Sequence, residues 1–158
     1  SSVLDLGTGA GFPGVPLKIS FPSLLLTLLD SKREKINFVK YSIRLLNLTR
    51  IEAKQARAEE LAGKPEMARS FDVVVSRAVT SLSRLIPLAT PFLKINGIII
   101  AMRGAEALHE TDMKKNKTLN KTVDGDEFKK NEIQVFPYQL PLSGKERNLI
   151  VIRFSGKV

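Results

Sequence analysis

Cysteine and tryptophan are absent from this chain of 158 residues, histidine occurs once, and aromatic side chains make up only 6%. Without cysteine there is no disulfide framework, no thiolate zinc site and no cysteine nucleophile, and the chain suits a reducing, cytoplasmic compartment. The one histidine, His109, cannot form a two-His metal site, and a Ser-His-Asp triad would rest on it alone. Nothing around it forms a catalytic pairing, so it reads as ordinary surface, and no metal is expected. So few aromatics disfavour an extended base-stacking platform. The longest apolar run, residues 23–29 (SLLLTLL), is far too short to cross a bilayer, and no targeting segment is visible. No membrane partner is expected, and a monomer is favoured.

What is present in excess is positive charge: 25 Lys and Arg against 16 Asp and Glu, a net +9. This points to a polyanionic partner but says nothing of fold. With 43% hydrophobic and 26% charged residues, the chain has enough apolar surface for one domain with a real core.

Short apolar runs alternate with helical patterns along the chain: Val3–Leu6, Leu24–Leu29, Ile51–Ala53, Asp72–Val75, Gly97–Met102, Ile133–Phe136 and Leu149–Arg153. Runs apolar on both faces are what a parallel sheet covered by helices requires, so an open, doubly wound α/β domain of about seven strands is expected. After the second run, Ser31-x-x-Glu34 reads as a capping box, and Ile36, Val39, Ile43 and Leu46 as one buried helical stripe. Leu82, Leu85, Ile86 and Ala89 suggest another helix, interrupted by Pro87. Residues 113–130 carry six lysines with little periodicity and read as a solvated basic connection. Residues 137–147 are too few for a crossover helix, so the last two strands should pair antiparallel. Ser1 and Ser2 lead straight into a buried strand. The native protein is therefore expected to carry a segment ahead of them, an expectation that an open reading frame ending just before Ser1 would contradict.

Gly7-Thr8-Gly9-Ala10-Gly11 directly follows the first strand, where open α/β sheets bind ligands. Gly9 to Gly14 also satisfies G-x-G-x-x-G, a dinucleotide fingerprint that is weak alone and leaves an NAD-type oxidoreductase open. Asp5, inside the strand, is unwelcome beside a pyrophosphate and suits a ligand with a cationic amino or sulfonium group, such as S-adenosylmethionine. The less favoured reading is that it merely caps local amides, and that the glycines serve only a tight turn. Asp30 ends the second strand, where an acid can bond ribose hydroxyls of either cofactor.

With VLDLGTGAGFPGVPLKI, LLD, RAEEL, FDVVVSRAV and ERNLIVIR in order, the chain resembles the glucose-inhibited division protein B family, bacterial methyltransferases of guanine N7 in 16S, the small-subunit ribosomal RNA. The resemblance spans essentially all residues 1–158, read as one methyltransferase domain. It implies a class I S-adenosylmethionine methyltransferase fold, Rossmann-like and mostly parallel with an antiparallel C-terminal strand. Family members carry an N-terminal helical segment ahead of the glycine motif, which agrees with the segment expected ahead of Ser1. The resemblance makes Gly7 and Phe12 cofactor contacts on the loop, to which the glycine pattern adds Gly9 and Gly11, and it puts Asp30, Ser31 and Lys32 near the ribose, Ala58 and Glu59 beside the adenine, and Arg77 at the cofactor's edge. Read alone, Glu59 could be a helix N-terminal acid and Arg77 a surface ion pair. Where the family commonly has Gly-Lys-Arg and Lys-Gly, this chain has Lys32-Arg33-Glu34-Lys35 and Arg103-Gly104.

Guanine N7 exposes a lone pair and has no proton to lose, so no general base is expected and no catalytic residue is assigned. No Asn/Asp-Pro-Pro-Tyr/Phe follows the fourth strand, which disfavours methylation of an exocyclic amine. Arg33, Lys35, Arg103 and Arg147 are candidate phosphate contacts for 16S ribosomal RNA or a small-subunit intermediate. A non-catalytic basic RNA-binding protein with a vestigial pocket remains the other alternative.

Overall fold

The strand that carries the glycine loop has nearly every side chain out of water. In β1 (Ser2–Leu6), Val3, Leu4, Asp5 and Leu6 are all buried, so both faces need cover. The computed structural model, which describes residues 1–77, 80–104 and 130–155, shows how they obtain it. β1 pairs in parallel with β2 (Leu25–Asp30) on one side and β4 (Phe71–Arg77) on the other. β3 (Ile51–Gln55) lies outside β2, and β5 (Leu93–Gly104) outside β4, both parallel to their neighbours. β7 (Glu146–Ser155) runs antiparallel to β5, and β6 (Lys130–Gln139) antiparallel to β7. The order is β3-β2-β1-β4-β5-β7-β6, the expected mostly parallel α/β sheet with its C-terminal strand reversed.

Two apolar layers sandwich this sheet. On one face, α1 (Gly14–Ser20) and α2 (Arg33–Leu45) bury Val15, Ile36 and Val39 against Val3, Leu26, Leu28 and Val75. On the other, the single-turn α3 (Ala58–Leu61) and α4 (Leu82–Ala89) pack Leu61, Leu82, Leu85 and Ile86 with Leu4, Leu6, Val74, Ile99 and Ile152. The chain crosses from one face to the other between β3 and β4. This leaves a switch point between β1 and β4, where a crevice opens at the strands' carboxyl ends.

Three local expectations change. Ser31 and Glu34 form no capping box. Lys32 is the N-cap of α2, with no side-chain cap, and its amide donates to Asp30 Oδ1 at 2.9 Å, so the acid ending β2 takes the place of the serine. The buried stripe of α2 consists of Ile36 and Val39 with Ile43 half-buried, while Leu46, past the last helical residue, is exposed. Pro87 lies inside α4 without ending it. Pro87 and Ser83, whose carbonyl it leaves without an amide partner, are both exposed, so water can take that acceptor. His109 lies outside the described residues, as do all the lysines of the basic stretch except Lys130, which opens β6. No described helix is long and apolar enough to cross a membrane.

Asp72 ties the start of β1 to β4 and β5. Its carboxylate accepts from the Ser2 amide at 2.7 Å, the Ser2 hydroxyl at 3.0 Å and Lys94 Nζ at 2.8 Å. Led by the Lys94 hydrogen bond, these partners pull its pKa down to about 2 from an ordinary 3.8. A depressed acid stabilises the fold above its unfolded pKa, and that contribution disappears as pH falls through the folded value. Asp72→Asn should therefore flatten the acid limb of stability between about pH 4 and 2, read as urea midpoints. Parallel pH profiles for wild type and variant would refute the assignment.

Candidate active site

Chain ends from four parallel strands meet at the switch point around a cavity of about 490 Å³, within the size range of small-molecule sites. β1 contributes Leu6 and then Gly7, Thr8 and Gly9; β2 contributes Leu29 and Asp30, followed by Ser31, Lys32 and Lys35. Ala56, Arg57, Ala58 and Glu59 arrive after β3, Arg77 ends β4, and Leu88 comes from α4. Ser76 Oγ donates to the Leu6 carbonyl at 3.1 Å, which holds the end of β4, and so Arg77, beside the glycine loop.

Asp30 is the latch between the first two strands. Oδ2 accepts from the Gly9 amide at 2.9 Å and faces Lys35 Nζ at 3.9 Å, while Oδ1 accepts from Lys32. Gly7 and Gly9 have φ of 73° and 61°, the left-handed region that glycine enters without Cβ strain. With no side chain at either position, a ligand can approach the backbone closely.

Asp5 takes the second of the two roles open to it. It is fully buried beneath the loop, does not line the cavity, and its Oδ2 accepts from Thr8 Oγ1 at 2.6 Å and the Gly14 amide at 2.8 Å. Gly14 opens α1, so this carboxylate sits on the helix N-terminus where a dinucleotide's pyrophosphate would lie. The neighbouring amides are also engaged: Gly7 and Thr8 donate to Leu29 O, Gly11 and Phe12 to Thr8 O, and Val15 to Gly11 O. Pro13 and Pro16 have no amide hydrogen. A pyrophosphate would find these donors already engaged, which leaves the oxidoreductase reading without a footing.

Among the sequence-derived cofactor residues, Gly7, Gly9, Asp30, Ser31, Lys32, Ala58, Glu59 and Arg77 line this one cavity, and Gly11 and Phe12 do not. Gly11, with φ 92°, turns the chain away; a Cβ there would meet Val15 Cγ2 at 2.7 Å, so it serves packing. Phe12 lies outside the wall, its ring 5.4 Å from the Arg77 guanidinium carbon, a cation–π distance. Of the phosphate candidates, Lys35 lines the cavity and Arg33 is exposed on α2, while Arg103 and Arg147 stand on β5 and β7 away from the lining. Leu6, Thr8, Leu29, Ala56, Arg57 and Leu88 were missed as lining residues. Thr8 and Arg57 adjoin motif positions, so proximity alone was a signal, whereas nothing local marks Leu88.

Mostly parallel strands with β7 reversed between β5 and β6, and a cavity at the carboxyl edge of β1, are the class I methyltransferase arrangement, shared with solved structures. M. jannaschii TYW2, solved in complex with AdoMet, superposes with TM-score 0.71 at 17% identity, covering 99% of this chain and 69% of that one. The sequence narrows the class: a profile of the GidB family, described as rRNA small subunit methyltransferase G, matches residues 1–151, and the chain belongs to that family. Proteins named ribosomal RNA small subunit methyltransferase G include one from Bacillus cytotoxicus, 38% identical over 99% of this chain and 62% of its own length. Another, from Mycoplasma capricolum, is 45% identical over 73% of this chain and 48% of its own. The chain thus spans about half to three-fifths of these relatives.

Burial dominates the titration of Asp5, raising its pKa from 3.8 to about 6 against the opposing hydrogen bonds of Thr8 and Gly14 and the charge of Arg77. A raised acid stabilises the fold fully below its unfolded pKa, and that contribution is lost as pH rises through the folded value. Wild type should therefore lose on the order of 3 kcal/mol relative to Asp5→Asn between about pH 4 and 7. Chemical denaturation of both proteins across that range measures it, and equal slopes would contradict the burial argument.

Proposed function

We propose that the chain is the catalytic domain of an enzyme that transfers a methyl group from S-adenosylmethionine to N7 of a guanine in 16S ribosomal RNA. The observation that carries the reading is the engaged glycine loop. The amides of Gly7, Thr8, Gly9, Gly11 and Phe12 and those of Gly14 and Val15 at the start of α1 are taken up within the protein, so the cavity favours a ligand recognised through side chains and without phosphate. Membership of the GidB family supplies the substrate class.

The residues present fit that cofactor. Asp30 retains lone pairs for ribose hydroxyls, and exposed Glu59 can accept from an adenine amino group beside Ala58. Arg77 offers a fork to the amino-acid carboxylate, with Phe12 acting through Arg77 rather than on the ligand. Ser31 and Lys32 close the ribose side. When bound, S-adenosylmethionine supplies an activated methyl group on a sulfonium. The protein's part is positioning: Gly7 and Gly9 let the ligand sit against backbone, and the strand ends fix its direction, so the guanine lone pair can meet the methyl carbon in line with the leaving sulfur. N7 loses no proton, so the reading assigns no general base. Lys35, and further out Arg33, Arg103 and Arg147, are the proposed phosphate contacts of the RNA, and the working compartment is the cytoplasm.

Gly9→Val in the full-length protein tests the cofactor site. A Cβ at Gly9 meets only Lys35 Nζ at 3.9 Å, so the protein has room for it, but φ is +61° and the side chain intrudes on the ligand. Calorimetry should show S-adenosylmethionine affinity falling at least about tenfold, about 1.4 kcal/mol, because the valine side chain takes up ligand space; unchanged affinity would sink the assignment. The substrate is tested by mass spectrometry of small-subunit ribosomal RNA from a deletion strain. One N7-methylguanine should vanish, and an unaltered set of methylated guanines would rule the substrate out.

A further inference from the structure

Helix α2 is apolar on two sides. Ile36 and Val39 face the sheet, while Phe38, Tyr41 and Leu45 recur at three- and four-residue steps on the opposite side, 54%, 56% and 65% exposed. Scattered exposed apolar residues need no explanation, but a contiguous ridge does. Beside it runs a second ridge of Arg33, Lys40 and Arg44, all exposed and none ion-paired with an acid among the described residues. Glu34 is the one acid of the helix. The helix also starts at the cavity: Lys32 and Lys35 line it. Phe38 lies about 4.5 Å and Leu45 about 15 Å further along the axis than Lys35, at 1.5 Å per residue.

The charges select the occupant. A second copy packed two-fold on this ridge would bring Arg33, Lys40 and Arg44 against their own counterparts, a like-charge arrangement. Aromatic rings flanked by cations instead suit unpaired RNA, whose bases stack on ring faces while its phosphates meet Lys and Arg. Two rings make a short platform, within the limit set by the low aromatic content.

We infer that this face of α2 docks an unpaired stretch of RNA adjoining the target guanine, with bases on Phe38 and Tyr41 and phosphates along Arg33, Lys40 and Arg44. The inference rests on the proposed methyl transfer to RNA and deepens it by giving the substrate a path out of the cavity.

The test uses the full-length protein with small ribosomal subunits from the deletion strain and RNA extracted from them. Phe38→Ala/Tyr41→Ala should raise the KM for RNA about tenfold or more, leaving kcat, S-adenosylmethionine affinity and thermal midpoint near wild type. Lys40→Gln/Arg44→Gln should lower the slope of log affinity against log salt by about 1.4, for two single-strand phosphate contacts. Wild-type KM and salt slope in both variants would overturn the docking face while leaving the methyltransferase reading intact. A wild-type enzyme that methylates neither substrate would overturn the function and the docking face together. If sedimentation shows an oligomer that Phe38→Ala/Tyr41→Ala dissociates with KM unchanged, the ridge is a protein interface and the inference fails.

Discussion

The hydrogen bond from the Gly14 amide to the Asp5 carboxylate sets the geometry of everything around the cavity. It draws the start of α1 down onto β1 so closely that a Cβ at Gly14 would lie 2.1 Å from Leu28 Cδ2 and 2.7 Å from Asp5 Oδ2. Only glycine fits there. With Thr8 Oγ1 on the same oxygen, the intervening loop is closed from below, and its upper side takes the shape that Gly7 and Gly9 allow. The contact requires a carboxylate in a dry place, and the raised pKa of Asp5 is the thermodynamic sign of that cost. In return, the donors that would attract an anion are engaged, so selection of ligand passes from the backbone to the side chains on the cavity wall.

The strands were legible because a two-sided apolar run has few alternatives in a chain this size, and the short link before β7 left only an antiparallel pairing. The site was legible where a residue's role follows from its place at a strand's end, as with Asp30 and Arg77. It was less so where two roles need the same residue type. An acid inside β1 can attract a cation or cap an amide, and the choice turns on Gly14, nine positions away, reaching it in space. Gly11 and Phe12 belong to the same motif as Gly7, yet the left-handed turns at Gly9 and Gly11 swing them out of the wall. Ser31 lost its capping role for a similar reason, since Asp30 already reaches the amide that needed a partner.

The net charge of +9 is also redistributed by the fold. Lys18 is buried, its Nζ donating to the Pro22 and Leu24 carbonyls at 2.6 and 2.5 Å, and burial lowers its pKa. It ties the link between α1 and β2 and is unavailable to any partner. Lys94 and Lys54 are paired with Asp72 and Glu52. Composition counted these with the rest, while the structure singles out Arg33, Lys40 and Arg44 as exposed cations aligned on one helix. Hydropathy patterning found the buried face of α2 but was silent on the opposite one, because Phe38, Tyr41 and Leu45 blur the amphipathic pattern rather than sharpen it.

A carboxylate titrating near pH 6 beside a ligand cavity is, by itself, the mark of a general base. Asp5 has that pKa and yet cannot serve. It is sealed under the loop, Oδ2 is committed to Thr8 and Gly14, and no face of it borders the cavity. The acids that border it among the described residues, Asp30 and Glu59, follow β2 and β3 and are suited to hydroxyl and amino donors. Among the described residues, the wall can bind and aim a ligand but offers little means to remove a proton. For the proposed transfer to RNA, that restriction favours a nucleophile whose lone pair is already free, such as guanine N7, over an exocyclic amine or a hydroxyl.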